Sequence, residues 1–190
     1  MIRDLIIKNR TYRRFYQNVE ITEKVLLELV DLARLSSTGA NLQQLKYILS
    51  NTEQKNEMIF EELRWAAYLK DWDGPKEGEK PSAYLIMVVD KEISPNIYWN
   101  HGIACQSILL GAVEKGYGGC MFGGFNKENL EAKLNVPERY DILLVIALGK
   151  PKEKVILEDM KADGDVKYWR DDSGVHHVPK RSLDDLILKL

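Results

Sequence analysis

The segment from about Ile97 to Lys115 is the strongest constraint on how this chain folds. It has helical spacing, and apolar residues occupy almost all of its sides, interrupted by a few polar residues that include His101, Gln106 and Glu114. A helix that is apolar all round must be covered on most of its sides. Such a helix lies either in the centre of a core or in a subunit interface. In a chain of 190 residues we favour the interface.

The rest of the chain predicts a mixture of helices and buried strands. Helices are expected where apolar residues recur three and four positions apart, and Thr22 is a typical N-cap for one of them. Strands are expected where short runs are almost wholly apolar. The predicted helices cover 2–9, 22–35 and 53–69, and the predicted strands cover 47–49, 84–89 and 142–148.

Composition indicates a single folded domain spanning residues 1–190, with 45% apolar and 29% charged residues. The formal net charge of -2 argues against nucleic acid or an anionic membrane as the main partner. Cys105 and Cys120 are the only cysteines, which favours a reducing compartment. The charged N-terminal residues do not resemble a signal peptide, and no apolar run approaches the length of a membrane span. We therefore expect a soluble, cytoplasmic protein.

The character of the chain changes after Pro151. Residues 158–172 are polar and carry turn-forming Asp-Gly and Ser-Gly pairs nearby, so this tail cannot form a core of its own. It must lie on this subunit or on a partner. A final helix is predicted over 182–190, with Ser182 and Asp185 forming a capping box.

Two basic clusters lie near opposite ends of the chain. Guanidinium groups bind phosphate oxygens in pairs, and a hydroxyl adds a further donor, so the first cluster is either a phosphate clamp or a solvated turn. Cations directly before a helix N-cap are unfavourable unless an anion is bound there, which makes the second cluster a candidate anion site. The residues are Arg10, Thr11, Arg13 and Arg14 in the first cluster, and Lys180 and Arg181 in the second.

A polar loop over 36–43 follows the second predicted helix. Gly39 is explained by a helix C-cap. Asn41 and Gln43 each offer donor and acceptor groups, which suit the edge of a heteroaromatic ligand.

Six of the thirteen glycines fall within residues 111–124. Their spacing fits neither a Rossmann fingerprint nor a P-loop. They indicate either a tight packing corner or a backbone that passes close to a flat ligand.

Other candidates are weaker. His176 and His177 are adjacent and point apart, so they make a poor metal pair, and we expect no metal site. The cysteines are expected to fill core space rather than to act as nucleophiles. Aromatic residues at 65, 68 and 72 line either a pocket or the core.

Together these motifs resemble those of the FMN-dependent nitroreductase family, from about Arg10 to Arg181. The family's opening basic motif is similar to residues 9–15, Asn-Arg-Thr-Tyr-Arg-Arg-Phe. Its serine-rich loop is similar to residues 36–45. Its Gly-Ile-Ala-x-Gln helix is intact at 102–106, followed by the glycine-rich turn and by Gly-Lys-Pro at 149–151. Departures occur at Asn9, at Ser37 and at Gln44 with Leu45, and the region over 70–81 is short for the family's lid helices.

The resemblance implies an α+β fold: an α/β sandwich whose central, mainly antiparallel sheet is flanked by helices. It further implies an intertwined homodimer in which the arm over 151–190 wraps the partner, with FMN at the subunit interface. By position, the resemblance assigns cofactor binding to residues in four groups. They are Arg10, Thr11 and Arg13; Ser37, Thr38, Gly39, Asn41 and Gln43; Phe122, Gly123 and Gly124; and Lys180 and Arg181.

The implied activity is an oxidoreductase that uses NAD(P)H to reduce nitroaromatics, quinones or similar small acceptors in a ping-pong cycle through flavin N5. In such an enzyme the cofactor carries the chemistry, so no side chain is assigned as a catalytic acid or base. Two alternatives stay open. One is another flavin reaction on the same scaffold, such as enoate reduction, dehalogenation or flavin breakdown. The other is a flavin-binding sensor without turnover.

Overall fold

The computed structural model describes residues 1–69 and 71–189. The helices are α1 Ile2–Lys8, α2 Glu23–Leu35, α3 Glu53–Phe60, α4 Asn100–Glu114 and α5 Lys127–Leu134. The strands are β1 Phe15–Tyr16, β2 Leu45–Ser50, β3 Ala83–Asp90, β4 Gly118–Phe122, β5 Tyr140–Pro151, β6 Val155–Asp159, β7 Trp169–Arg170 and β8 His176–Lys180.

The two most apolar strands, β3 and β5, form the centre of a five-stranded sheet. Its strands run in the order β1-β5-β3-β2, and β4 also pairs with β5. Every pairing within this sheet is antiparallel. All eight residues of β3 are buried because helices cover both faces of the sheet. The predicted α+β fold with a central antiparallel sheet is confirmed.

Side chains alternate between the two faces of the sheet and so contribute to two hydrophobic cores. Leu85 and Met87 of β3 point toward α2 and α4, where they join one core cluster. Tyr84 and Ile86 point the other way, into a second cluster with α3 and α5. This period of two is the ordinary geometry of a strand buried on both faces.

Helix α4 is the long apolar helix that the sequence indicates. It packs closely on α2, where a Cβ at Gly111 would lie 2.2 Å from Leu32, so this glycine is a packing residue. One side of α4 remains exposed, and the side chain of Ile103 on it is 39% accessible. The helix is therefore buried on one side and available to a partner on the other.

The prediction for α3 is too long. The helix ends at Phe60 rather than at Leu69. Beyond it, Leu63 forms an antiparallel bridge with Phe125, and Arg64 donates its N–H to the carbonyl of Gly124 at 3.0 Å. These long-range backbone bonds override the helical spacing that continues in the sequence.

The tail lies on its own chain in this structure. Strand β8 pairs in parallel with β6 and antiparallel with β7, forming a small three-stranded sheet. The predicted capping box is present, since Ser182 and Asp185 exchange bonds of 3.2 Å. It caps one 3-10 turn, Asp184–Leu186, instead of a helix over 182–190. The end of that prediction, Leu190, lies outside the described residues. Exchange of this arm between subunits stays a prediction.

Within residues 1–69 and 71–189, no helix combines the length and apolar character that crossing a bilayer requires.

Candidate functional site

A cavity of about 300 Å³ opens between the N-terminal segment, α4, β4 and the tail sheet. Its lining brings together residues that are far apart in the sequence. They are Asn9, Arg10, Thr11, Arg13, Gln106, Leu109, Gly119, Met121, Tyr168, His176, Val178 and Lys180. Among these lining residues there are three permanent cations and no carboxylate. We call this space the basic cavity.

The backbone of the N-terminal segment is fixed at the basic cavity by pairing with β4. Thr11 forms a parallel bridge with Gly119, and Tyr12 donates its N–H to the Gly119 carbonyl at 3.0 Å. A Cβ at Gly119 would lie 2.6 Å from the Ala147 carbonyl oxygen, so no larger residue fits without displacing the sheet. This glycine of the predicted cluster therefore serves close packing and thereby shapes the cavity.

Arg13 lines the basic cavity and contacts the tail. Its side chain is mostly buried, and its guanidinium carbon lies 4.6 Å from the centre of the Tyr168 ring. Its Nη1 is 3.4 Å from Nε2 of His176. Its backbone N–H donates to the buried carboxylate of Glu153, which also pairs with Arg170 at 3.1 Å. Residues of the C-terminal arm therefore hold Arg13 in place.

Arg10 presents a donor without a partner. Its Nη2 donates to the carbonyl of Ile6 at 2.6 Å. Its Nε is buried and finds no hydrogen-bond partner in the described part of the chain. Burial lowers the pKa of Arg10 from its ordinary value, although an arginine stays protonated at any physiological pH. An anion in the cavity would satisfy this donor.

The remaining basic residues separate into two groups. Lys180, at the end of β8, lines the basic cavity, whereas Arg181 is exposed beyond the strand and does not line it. Arg14 points elsewhere and holds Glu79 through two bonds of 2.8 and 2.7 Å. That pairing lowers the pKa of Glu79 to about 2. Arg14 is therefore a structural residue.

The predicted anion site before Ser182 depends on a helix N-terminus, but no α-helix begins there. The turn that follows contains three helical residues, and so short a turn has no appreciable dipole. Lys180 reaches the basic cavity from a strand instead.

The polar loop of 36–43 lines a separate cavity of about 480 Å³ with α2 and β2. Ser37, Thr38 and Gln43 contribute to it. The loop is strained, because Asn41 and Gln43 both have φ of 54°. The Thr38 hydroxyl is buried and unpartnered within the described residues. We call this space the loop cavity.

A buried amide network holds the loop in its strained shape. The N–H of Gly39 donates to the side-chain oxygen of Asn100 at 2.8 Å. Asn100 in turn donates to Gln44 at 3.2 Å, and Gln44 donates to the Asn96 carbonyl at 2.7 Å. Sequence reasoning noted Gln44 only as a departure from the family and missed this role. No local sequence pattern predicts this role, because the partners of Gln44 are more than fifty residues away.

The two cavities lie on opposite sides of α4. Asn100 and Ala104 line the loop cavity, and Gln106 and Leu109 line the basic cavity. At 3.6 residues per turn these two pairs point in roughly opposite directions. One chain therefore keeps the two predicted halves of the cofactor site apart.

The predicted glycine pair, Gly123 and Gly124, directly follows β4 and is exposed. A Cβ at Gly123 would meet no atom of the described residues within 4 Å. The Phe122 side chain points into the second core, with its ring centre 4.6 Å from that of Trp65. The backbone at the end of β4 is therefore exposed, without side chains of its own covering it.

The sequence also raised metal binding and cysteine chemistry. Within residues 1–69 and 71–189, no group of three or more potential ligands is placed to hold a metal ion. Burial raises the pKa values of Cys105 and Cys120 to about 12, which leaves both thiols protonated and poorly nucleophilic.

Comparison with known proteins gives consistent matches. The sequence profile of the Nitroreductase family matches residues 6–150. Among curated relatives, YodC of Bacillus subtilis (strain 168), named as a candidate NAD(P)H nitroreductase, is 25% identical over 177 residues, covering 77% of this chain and 88% of YodC. The iodotyrosine deiodinase of Thermotoga neapolitana is 23% identical over 170 residues, covering 80% and 90%.

Solved structures show the same fold. A nitroreductase family protein from Streptococcus pneumoniae TIGR4 superposes with a TM-score of 0.70 at 13% identity, covering 100% of both chains. The NADPH:FMN oxidoreductase from Vibrio harveyi, complexed with NAD+, superposes with a TM-score of 0.61 at 20% identity, covering 78% of this chain and 68% of that one.

The family profile defines the class of the protein, an oxidoreductase. More particularly, the chain belongs to the nitroreductase family, because the family profile covers most of its length. The resemblance expected from the motifs is thereby confirmed.

Proposed function

We propose that this protein is an FMN-dependent oxidoreductase that uses NAD(P)H to reduce small acceptors such as nitroaromatics or quinones. The observation that carries the proposal is the basic cavity, where Arg10, Arg13 and Lys180 converge from both ends of the chain. The names of the relatives support the same activity: one is a candidate NAD(P)H nitroreductase and one an NADPH:FMN oxidoreductase. When bound, FMN supplies reversible hydride transfer at N5.

The basic cavity fits the phosphate of FMN. Its lining offers cations and a hydroxyl without a competing carboxylate, and the buried Nε of Arg10 needs an acceptor. In the proposal, Arg10, Thr11, Arg13 and Lys180 hold the phosphate. Arg181 joins them only if the tail adjusts on binding, because it is exposed in this structure.

The ring of FMN would lie along the open backbone at the end of β4. Gly123 and Gly124 carry no side chain that blocks approach, and the buried Phe122 contributes its backbone there. A bare backbone can present N–H groups to a flat ring at short range. The chain's own task is to bind and orient the ring and to admit the donor and the acceptor in turn.

We infer that the complete site requires two copies of the chain. The loop cavity is lined by Ser37, Thr38 and Gln43, and the same loop carries Gly39 and Asn41. It lies across α4 from the basic cavity, so one chain cannot bring both to one ligand. A partner docked on the exposed side of α4 would supply the second half. Large apolar residues exposed around that side favour such docking: Ile6, Leu35, Trp99 and Ile103.

An aromatic cluster beside the glycine pair favours flat acceptors. Trp65 contacts Phe122 and Trp72, and the segment that carries it is bonded to the backbone at Gly124. An aromatic ring can pack on a planar group in an offset-stacked or edge-to-face arrangement. Within this proposal the acceptor is a small aromatic or quinonoid compound.

A second candidate is dehalogenation on the same scaffold, which the iodotyrosine deiodinase relative favours. The two candidates differ in product. With the protein, NADPH and 3-iodotyrosine, release of iodide supports dehalogenation. Reduction of a nitroaromatic without iodide release supports the nitroreductase.

The deciding experiment is an absorbance spectrum of the purified protein, taken before and after anaerobic addition of NADH or NADPH. A flavin spectrum that bleaches with either nicotinamide supports the oxidoreductase. A flavin spectrum that neither nicotinamide bleaches favours a sensor without turnover. A colourless protein that does not bind added FMN would refute the proposal.

A further inference from the structure

His176 is buried against the basic cavity, although the sequence gives it no role. It is 1% exposed and lines the cavity with Arg13 and Lys180. It belongs to β8, the middle strand of the tail sheet, and pairs with both neighbouring strands, opposite Val155 and Arg170. Its backbone N–H donates to the Lys154 carbonyl at 2.8 Å. The backbone of His176 is therefore fixed from two sides.

The contact with Arg13 determines which ring nitrogen carries the proton. A guanidinium can only donate, so Nε2 of His176, 3.4 Å from Nη1 of Arg13, must accept. A neutral imidazole that accepts at one nitrogen carries its proton on the other. The proton of His176 is thus on Nδ1.

The Nδ1–H group has no acceptor in the part of the chain that the structure describes. Nδ1 is buried and has no hydrogen-bond partner within residues 1–69 and 71–189. Buried donors without partners are rare, and each one calls for an explanation. Arg10 Nε is a second such donor in the lining of the same cavity. His176 and Arg10 both line one cationic cavity, and each has a buried donor without a partner in the described residues, which points to a bound group that is rich in acceptors.

The surroundings keep the ring neutral. Arg13 faces it from the N-terminal segment, and Tyr168 and Arg170 face it from the chain at β7, with the Tyr168 ring centre 5.1 Å away. Burial and the nearby charges of Arg13 and Arg170 lower the pKa of His176 to about 4. The adjacent His177 points away, toward Glu158 and Asp171.

We propose that His176 is a phosphate ligand of this protein, donating its Nδ1–H to a phosphate oxygen in the basic cavity while Nε2 positions Arg13. The inference rests on the proposed function, since it takes the cavity to hold the phosphate of FMN. A purely structural role would be met by any ring that packs on Tyr168. A phosphate ligand additionally requires a donor at the Nδ1 position.

The test compares FMN with riboflavin, which lacks the phosphate. Each flavin is titrated into flavin-free full-length protein, and binding is followed by quenching of flavin fluorescence. His176→Phe keeps an aromatic ring against Tyr168 and removes both nitrogens. His176→Asn returns a donor near the Nδ1 position. His177→Phe is the matched control, because it alters the neighbouring ring outside the cavity.

We expect His176→Phe to weaken FMN binding by roughly ten- to a hundredfold, as for a lost hydrogen bond to a charged group, and to leave riboflavin binding unchanged. His176→Asn should recover part of the loss, and His177→Phe should resemble the wild type. Equal losses for FMN and riboflavin, or no loss in His176→Phe, would overturn the assignment. Failure of the wild type to prefer FMN over riboflavin would instead refute the phosphate pocket and hence the proposed function.

Discussion

Arg13 and His176 stand 163 positions apart in the chain, yet Nη1 of one lies 3.4 Å from Nε2 of the other. The contact joins the opening basic motif to the tail sheet and closes the basic cavity. It explains why the site needs the whole chain rather than any single motif. The two ends contribute different groups: permanent cations from the N-terminal segment, and a neutral imidazole with Lys180 from the tail.

The two neighbouring arginines should behave differently when replaced. Arg13→Ala removes a cation from the basic cavity, and we expect FMN affinity to fall about tenfold or more. Arg14→Ala leaves the cavity intact but removes the main partner of buried Glu79, so it should lower thermal stability while FMN content is retained. Flavin-to-protein ratio and melting temperature separate the two effects. Equal flavin loss in both variants would contradict the assignment.

The adjacent histidines should titrate in opposite directions. The pKa of His176 is lowered to about 4 by burial and nearby cations, whereas hydrogen bonds to Glu158 and Asp171 raise the pKa of His177 above its usual value. Ring proton shifts followed by NMR should show one midpoint near 4 and another above 6.5. Spectra of His176→Phe and His177→Phe assign the signals. A His176 midpoint near 6.5 would show that the ring is not held as described.

These two titrations have opposite effects on stability. Between pH 4 and 6.5 the imidazole of residue 176 binds more protons in the unfolded state than in the fold. The contribution of neutral His176 to the free energy of unfolding is therefore complete above about pH 6.5 and is lost as pH falls toward 4. The contribution of His177 is complete below its unfolded pKa and is lost as pH rises through its folded pKa. The free energy of unfolding measured with urea should therefore fall less between pH 7 and pH 5 in His176→Phe than in the wild type.

The sheet was predictable from the sequence, whereas the details of the site were not. Strands β3 and β5 are continuous apolar runs, and α2 has both helical spacing and a cap at Thr22, so local patterns suffice for them. The end of α3 depends on backbone bonds to Gly124, and the burial of His176 depends on Arg13 and Tyr168. Such long-range contacts leave no periodic trace in a single sequence.

Two glycines of the same cluster should respond in opposite ways to an added methyl group. In Gly119→Ala the new Cβ would lie 2.6 Å from a backbone oxygen, and we expect a loss of about 1–3 kcal/mol in the free energy of unfolding, together with loss of flavin. In Gly123→Ala the Cβ meets no atom within 4 Å, so stability should be unchanged. Its effect should instead be on flavin binding or reduction. Denaturant unfolding and flavin content measure both, and a stable Gly119→Ala protein with normal flavin would contradict the packing role.

The exposed side of α4 should control dimer formation and thereby the binding of FMN. Ile103→Glu places a charge where we propose that a partner docks, so it should shift the protein to a monomer and abolish flavin binding. Ile93→Glu is the matched control, because Ile93 is 42% exposed, close to the 39% of Ile103, and lies on the loop that follows β3. Light scattering coupled to size-exclusion chromatography gives the mass of each variant. If Ile103→Glu remains a dimer, the docking face is elsewhere; if it becomes a monomer that retains full flavin, one chain suffices for the site and the two-chain proposal fails.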